Sequence, residues 1–544
     1  MRTQILSKYT YIIIIILIGA FLRFYKLSEF PPQLNHDEIS QLYDAISIAQ
    51  TGKDVYGNFL PVVFQSTGDY KPAQYTYLST IPYLFWGDQE ITIRITAAFF
   101  GTLTIGAVFL FMNALTKNFN LALLCSAMIA ITPSEIFYSR KSFESVIGVT
   151  LYFFGLFCLL NLLEKTKVKI WGYLAALCFA YAIYLYTSYL IVVPLTILLF
   201  ALIFRKTIKF QIKKFMLSLS LLLILIIPLI VLTISNPQLR FRAESVFITQ
   251  DVNLGKLINY SQNPLKSHLD YIFLRFLNQF NPTLIFANGL NFTNQGFLGM
   301  GPLLFWQLPF FILGIVYLVK SNSFSEGKRI LLGLIPIAMI PSSITFESYS
   351  PHRSMLAFSL MSIISAFGWY WTINLILRSA LNFKLKIVVF TFISILFILN
   401  LIYFLHMYTV NYPYEKSQEF HYPFKSVAQF IWSQYPNFDQ IVFDPQFGDV
   451  APKIGVGSHY YLAYYGHFPP YKFQKEYRVG EKPREIIFDK FSIRQVYWPE
   501  DRNLKNTLVI ASPWSIPEED SKGFEIIKRF NFYNGKLAFY AIKL

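Results

Sequence analysis

The run Ile12-Ile13-Ile14-Ile15-Ile16-Leu17-Ile18-Gly19-Ala20-Phe21-Leu22, followed at once by Arg23-Phe24-Tyr25-Lys26, decides how the chain is read. A cleaved signal peptide has a similar basic start and apolar core. Here Phe21-Leu22 carries the apolar run past the small pair Gly19-Ala20, and no A-x-A-like cleavage pattern follows. The run reads as a retained first transmembrane helix. Soon after it comes the polar stretch Asn35-His36-Asp37-Glu38, so a single span delivers an acidic pair to the membrane surface.

The rest of the chain extends this reading. Of 544 residues, 54% are hydrophobic and only 14% charged, with a mean hydropathy of +0.43, so most of the chain belongs in lipid. A bilayer core of roughly 30 Å requires about 17–25 mostly apolar residues per helix. Segments of that kind fall near 9–27, 91–116, 119–138, 143–163, 170–188, 189–204, 215–235, 302–319, 330–346, 354–377 and 387–408. The fold class expected is mainly α, a polytopic membrane helix bundle of about eleven spans.

The net charge of +16 invites a nucleic-acid reading, and the placement of the charges argues against it. With the N-terminus inside, residues 1–8 and the short connectors at 117–118, 164–169, 205–214, 320–329 and 378–386 become cytoplasmic. They are rich in Lys and Arg and hold only two acids, Glu164 and Glu326. Essentially the whole positive excess lies there, which is a topology signal. No nucleic-acid partner is expected. The three cysteines, Cys125, Cys158 and Cys178, sit in apolar runs without metal-ligand spacing and read as buried small hydrophobes.

An odd number of spans leaves three larger pieces outside: loops of about 28–90 and 236–301, and the tail from 409 to 544. The expected division is a membrane domain over 1–408, both loops included, and a small extracytoplasmic α/β domain over 409–544. In the tail, short strand-like runs recur at Gln440–Phe443, Gln495–Trp498 and Thr507–Ala511, and Phe532–Ile542 reads as a hairpin about Asn534-Gly535. Tyr460–Tyr465 admits two readings, a sugar-stacking face or core.

Several outer polar residues need a reason. Ile39, Leu42, Ile46 and Ala49 mark one face of a helix, with Asn35 as N-cap and Glu38 three residues later completing a capping box. Capping accounts for Asn35 and Glu38 and leaves Asp37 unexplained. A helix N-terminus also keeps Asp37 ionised, as a general base must be. Lys71, in Gly68-Asp69-Tyr70-Lys71-Pro72, is either a solvated or snorkelling lysine or a cation set to meet a phosphate. Ala73–Trp86 suits the membrane surface. Arg140 and Glu144 are spaced to pair on one helical face, as a structural pair or as an arginine orienting a second carboxylate. His352 and Arg353 open a late apolar helix. Arg353 is either a snorkelling arginine or, with His352 and the helix N-terminus, an anion seat. In the second long loop, Arg240–Phe247 leads to the aromatic-rich Tyr271–Phe286, expected as a membrane-surface helix and a substrate lid.

In these residues the chain resembles the GT-C superfamily of membrane glycosyltransferases. The resemblance is carried by Leu22-Arg23-Phe24, Asp37-Glu38, Lys71-Pro72, Pro133 to Glu144 and Pro351-His352-Arg353, in that order over most of 1–405. It is nearest to bacterial members related to protein O-mannosyltransferases and lipid A aminoarabinose transferases. The resemblance implies transfer of a sugar from a polyprenyl-phosphate donor to a hydroxyl of a protein, lipid or glycan acceptor, on the outer face of the cytoplasmic membrane. It implies Asp37 as base in an inverting single displacement, with Glu38 supporting it and Glu144 standing where many members carry Asp. Lys71, Arg140, His352 and Arg353 would hold the donor phosphate. Adjacent His36, Asp37 and Glu38 have poor metal-ligand spacing, so no metal and no cofactor are expected.

Two other classes compete. A transporter or flippase of lipid-linked saccharides would share the bundle and the outer cations, but the chain shows no paired halves. A receptor sensing through its tail leaves the acids of the first loop unexplained.

Overall fold

A computed structural model of the chain describes residues 2–66, 70–164, 169–237, 244, 246–261, 263–292, 296, 299–321, 324–347 and 349–544, with 2–8 and 291–292 described by backbone alone. Gly68, Asp69, most of the connector at 164–169, Arg240–Ala243 and Ser348 therefore lie outside the described residues. The chain divides into two compact units. One comprises Met1–Tyr25 and Ala97–Tyr408; the other comprises Lys26–Thr96 and Thr409–Leu544.

The first unit is helical. A helix overlies each expected span: Arg2–Phe24, Ile91–Thr116, Phe119–Ile131 with Pro133–Ser139, Glu144–Leu163, Ile170–Leu185, Tyr189–Ile203, Ile212–Ser235, Gln307–Lys320, Ser325–Ser343, Met355–Arg378 and Phe383–His406. Among the described residues five are long and apolar enough to cross a membrane, and a sixth is the pair Phe119–Ile131 and Pro133–Ser139, bent by 55°. Pro133, lacking an amide hydrogen, starts the second half of that pair and sets the break. The exposed sides of Ile212–Ser235 and Phe383–His406 are almost entirely apolar, as lipid-facing helices require.

The second unit contains a seven-stranded mixed sheet. Its strand order is Glu525–Asn531, Leu537–Lys543, Thr507–Ala511, Gln440–Phe443, Phe491–Ile493, Ile486–Phe488, Arg478–Val479. Gln440–Phe443 runs parallel to both neighbours, and the other pairings are antiparallel. The hairpin turns at Asn534-Gly535, where Gly535 adopts a φ of +83° that suits glycine. Two readings of the tail are decided here. Gln495–Tyr497 is not a strand, because the carboxylate of Asp444 accepts the Val496 amide at 2.7 Å and that of Asp501 accepts the Tyr497 amide at 2.7 Å. Tyr460–Tyr465 lies in the helix Ser458–Tyr465, and Tyr460 and Tyr461 are buried, so the core reading holds. The first outer loop falls in one compact unit with the tail. Its helix His36–Thr51 is buried from Glu38 to Ile48 on every side, while Ala49, expected on its apolar face, is exposed. The tyrosine hydroxyls explain the grouping: Tyr43 donates to the Phe468 carbonyl at 2.7 Å, Tyr461 to the Leu34 carbonyl at 2.8 Å, and Tyr56 meets Tyr460 at 3.2 Å.

Candidate active site

The helix His36–Thr51 begins with a complete capping box. Asn35 Oδ1 accepts the Glu38 amide at 2.9 Å and Glu38 Oε2 accepts the Asn35 amide at 3.0 Å. The same buried carboxylate receives Arg94, Nε to Oε1 at 2.9 Å and Nη2 to Oε2 at 3.1 Å. The remaining guanidinium hydrogens go to the carbonyls of Leu27, Pro31 and Gln33 at 2.7–3.1 Å. The loop between the first helix and Asn35 is thus wrapped around one buried cation. Glu38 is fully engaged in holding the turn.

Asp37 is turned the other way. Its side chain is about one-third exposed and pairs with Lys71, which the two-stranded ladder Val63–Gln65 with Tyr70–Pro72 carries beneath it. Lys71 Nζ also donates to Ser40 Oγ at 3.2 Å, and Ser40 Oγ donates to the Asp37 carbonyl at 3.0 Å. A carboxylate in the first turn of a helix and beside an ammonium is favoured in its ionised form.

His36 Nε2 lies 3.4 Å from Asp37 Oδ1, and the His36 ring meets His421 edge-on at 5.3 Å. Burial pushes His36 below the ordinary histidine range, opposed by the Asp37 charge, and pushes His421 well below it. Both rings are therefore neutral near pH 7. Two turns along, Asp44 is held well above the carboxylate range by burial, against the opposing Val55 amide bond at 3.2 Å. Asp37 is thus the accessible, charged acid of this helix.

The first unit holds the other expected residues. Arg353 Nη1 stands 3.2 Å from Glu347. His352 is 3.3 Å from Ser350 Oγ, which itself donates to Glu347 at 2.8 Å, and its ring packs near Phe143 and Tyr186. Tyr186, His352 and Arg353 help to line a void of only about 10 Å³. Glu144 opens the helix Glu144–Leu163, where the helix dipole favours an acid. The shared helical face expected for Arg140 and Glu144 is absent, because the helix breaks at residues 140–143. Arg140 instead donates to the carbonyls of Leu22 and Arg23 at 3.1 Å and to the Tyr408 hydroxyl at 3.2 Å. It caps the carbonyl end of the first helix. Below Leu22 opens an apolar cavity of about 690 Å³, lined by Ile14, Phe21, Met128, Trp306, Trp369 and Phe397 among others.

Asp37, Glu38 and Lys71 therefore share one unit, and Arg140, Glu144, His352 and Arg353 share the other. Sequence reading passed over Arg94 and Glu347. Arg94 had a visible signal, an arginine inside an expected span. Glu347 becomes notable only through its contact with Arg353. Among the described residues no group of three or more His, Cys, Asp or Glu side chains is placed to hold a metal ion.

A family model described as dolichyl-phosphate-mannose-protein mannosyltransferase matches residues 71–232. ArnT from Cupriavidus metallidurans bound to undecaprenyl phosphate superposes with a TM-score of 0.59 at 11% identity, over 99% of this chain and 98% of that one. The fold is that of the GT-C membrane glycosyltransferases. A second GT-C structure agrees: the Archaeoglobus fulgidus oligosaccharyltransferase tethered to an acceptor peptide with an NVT sequon gives a TM-score of 0.52 at 12% identity, over 98% of this chain and 74% of that one. AglB from Archaeoglobus fulgidus, in complex with an inhibitory peptide and a dolichol-phosphate, gives 0.50 at 12% identity, over 85% and 64%. Compared with curated proteins, the chain has no match. The GT-C fold accounts for the helical membrane unit that makes up most of the chain.

Proposed function

We propose that the chain is a membrane glycosyltransferase that moves a sugar from a polyprenyl-phosphate donor to a hydroxyl acceptor on the outer face of the cytoplasmic membrane. The observation that carries this reading is the Asp37–Lys71 pair, an accessible carboxylate at a helix N-terminus beside an ammonium. In an inverting single displacement, Asp37 takes the acceptor hydroxyl proton while that oxygen attacks the anomeric carbon. The bond from carbon to phosphate oxygen breaks, and its electron pair leaves with the polyprenyl phosphate. Lys71 offsets the charge gathering on the leaving phosphate, and a part for Arg353 and His352 in holding the donor phosphate rests on the resemblance of their motif alone. Glu38 positions Asp37 through the turn it shares with Arg94. Glu144 and Arg140 support the phosphate side, Arg140 by holding the end of the first helix above the apolar cavity. That cavity is suited to a prenyl chain. Neither metal nor cofactor enters the scheme. The orientation proposed, N-terminus cytoplasmic and tail outside across eleven spans, rests on the cationic connectors.

The test uses the purified full chain with a polyprenyl-phosphate sugar and candidate protein, lipid and glycan acceptors. Transfer by the wild type and its loss in Asp37→Asn is expected. Undiminished transfer by Asp37→Asn would remove Asp37 as the base. Lipid movement across vesicles without transfer from any donor would favour the transporter. A reporter fused after Leu544 is expected outside.

A further inference from the structure

Two neighbouring strands of the tail's sheet, Gln440–Phe443 and Thr507–Ala511, run parallel, and their connections leave in opposite directions. From the first the chain goes on to Arg478–Val479, Ile486–Phe488 and Phe491–Ile493, all on one side of it. From the second it goes to Glu525–Asn531 and Leu537–Lys543, on the other side. In open sheets with parallel strands, ligands sit outside the carboxyl ends at such a switch point.

The loops that leave these two ends are held in place. The Ser512 carbonyl accepts the amides of Ser515 and Ile516 at 3.0 Å, and the Asp444 carboxylate accepts those of Gln446 and Val496 at 2.7 Å. The Trp514 indole donates to the Gly448 carbonyl at 2.8 Å, tying one loop to the other. Its only donor is thereby spent, and the ring, 44% exposed, offers an apolar surface. Beside it, Gln446 Oε1 accepts Ser515 Oγ at 3.3 Å and Gln495 Nε2 at 3.1 Å. Among the described residues, Gln446 Nε2 and Gln495 Oε1 have no protein partner. Two residues past Gln495 stands Tyr497, 60% exposed, its backbone amide fixed by Asp501.

We propose that this end of the tail binds a neutral saccharide, with Trp514 and Tyr497 against sugar rings and Gln446 and Gln495 bonding hydroxyls. A sugar ring presents C–H groups on its faces and hydroxyls around its edge. Exposed aromatic rings beside an unspent amide donor and an unspent amide acceptor match that pattern. A phosphate-bearing ligand fits less well. Arg494, the cation at this end of the sheet, is buried and held twice by Asp501 at 2.8 Å, and the Asp444 carboxylate lies behind the amides. The proposal does not depend on the transferase reading.

The test presents the full chain, in phosphatidylcholine nanodiscs free of sugar-headed detergent, to an array of neutral and acidic oligosaccharides. Retention on neutral glycans is expected. It should fall about tenfold in Tyr497→Ala and Trp514→Ala, the worth of one aromatic contact, and several-fold in Gln495→Ala. Tyr471→Ala removes another exposed tyrosine, in the helix Pro470–Glu476, and should change nothing. If Trp514→Ala lowers the unfolding midpoint, the exposed positions Tyr497 and Gln495 decide the matter. Retention on no glycan, or a preference for acidic ones, would overturn the proposal. So would retention unchanged in both Tyr497→Ala and Gln495→Ala, which would mean a saccharide held elsewhere, at Asp37 for example.

Discussion

Arg94 and Glu38 form a buried two-point ion pair, 2.9 and 3.1 Å between heavy atoms, which fixes the helix turn that presents Asp37. The structural work at this turn falls to Glu38, while Asp37 faces away and pairs with Lys71.

Removing one partner of such a pair strands the other in the interior. Arg94→Met is expected to destabilise the unit by about 3–5 kcal/mol, read as a lowered midpoint of unfolding in detergent. A midpoint equal to that of the wild type would mean that Glu38 finds another partner or becomes neutral without cost.

Asp37 is partly exposed and takes little part in packing. Asp37→Asn should therefore leave the unfolding midpoint nearly unchanged while lowering transfer by roughly 10²- to 10⁴-fold, the usual worth of general base catalysis. The two measurements on one sample separate a lost base from a lost fold.

Glu347 pairs with Arg353 at 3.2 Å, so it would compete with a donor phosphate held by that guanidinium. Arg353→Gln is expected to raise the donor KM about 10- to 100-fold, matching a charge-assisted hydrogen bond of about 1.5–3 kcal/mol. Glu347→Gln frees the guanidinium and should lower the donor KM. A rise in KM in that variant would give Glu347 a direct part in binding.

His459 is buried between Tyr460 and Phe473 with neither ring nitrogen hydrogen-bonded, and burial pushes its pKa down to about 3. Below its ordinary value of 6.5 the unfolded chain binds a proton that the folded chain refuses, so stability falls as the pH drops from 6.5 towards 3. At pH 5 the loss is about 2 kcal/mol. His459→Phe should remove that share of the acid sensitivity, seen by comparing unfolding midpoints at pH 7.5 and pH 5. The same pH dependence in both proteins would contradict it.

The bundle was legible because long apolar segments have few structures open to them in lipid. The capping box was legible because it spans only three residues. What lay beyond reach was non-local. Lys71 meets Asp37 only through the ladder between Val63–Gln65 and Tyr70–Pro72, and Glu347 gains meaning only opposite Arg353. The run Gln495–Trp498 has strand composition, yet Asp444 and Asp501 take its backbone amides first. Arg94 was visible as an arginine in an apolar segment, but its partner Glu38 lies 56 residues away. The Arg140–Glu144 spacing misled because it assumes an unbroken helix, and the chain turns between them.

The hydroxyls of Tyr43, Tyr56 and Tyr461 stitch the segment Lys26–Thr96 to the tail from Thr409 onward. The two are far apart in the chain and must nevertheless be inherited together. A tail exchanged between related enzymes at residue 409 would arrive without the surface that matches it, and the helix bearing Asp37 would lose its floor. The natural module for grafting is discontinuous, two segments cut from the rest at three points: before Lys26, after Thr96 and before Thr409.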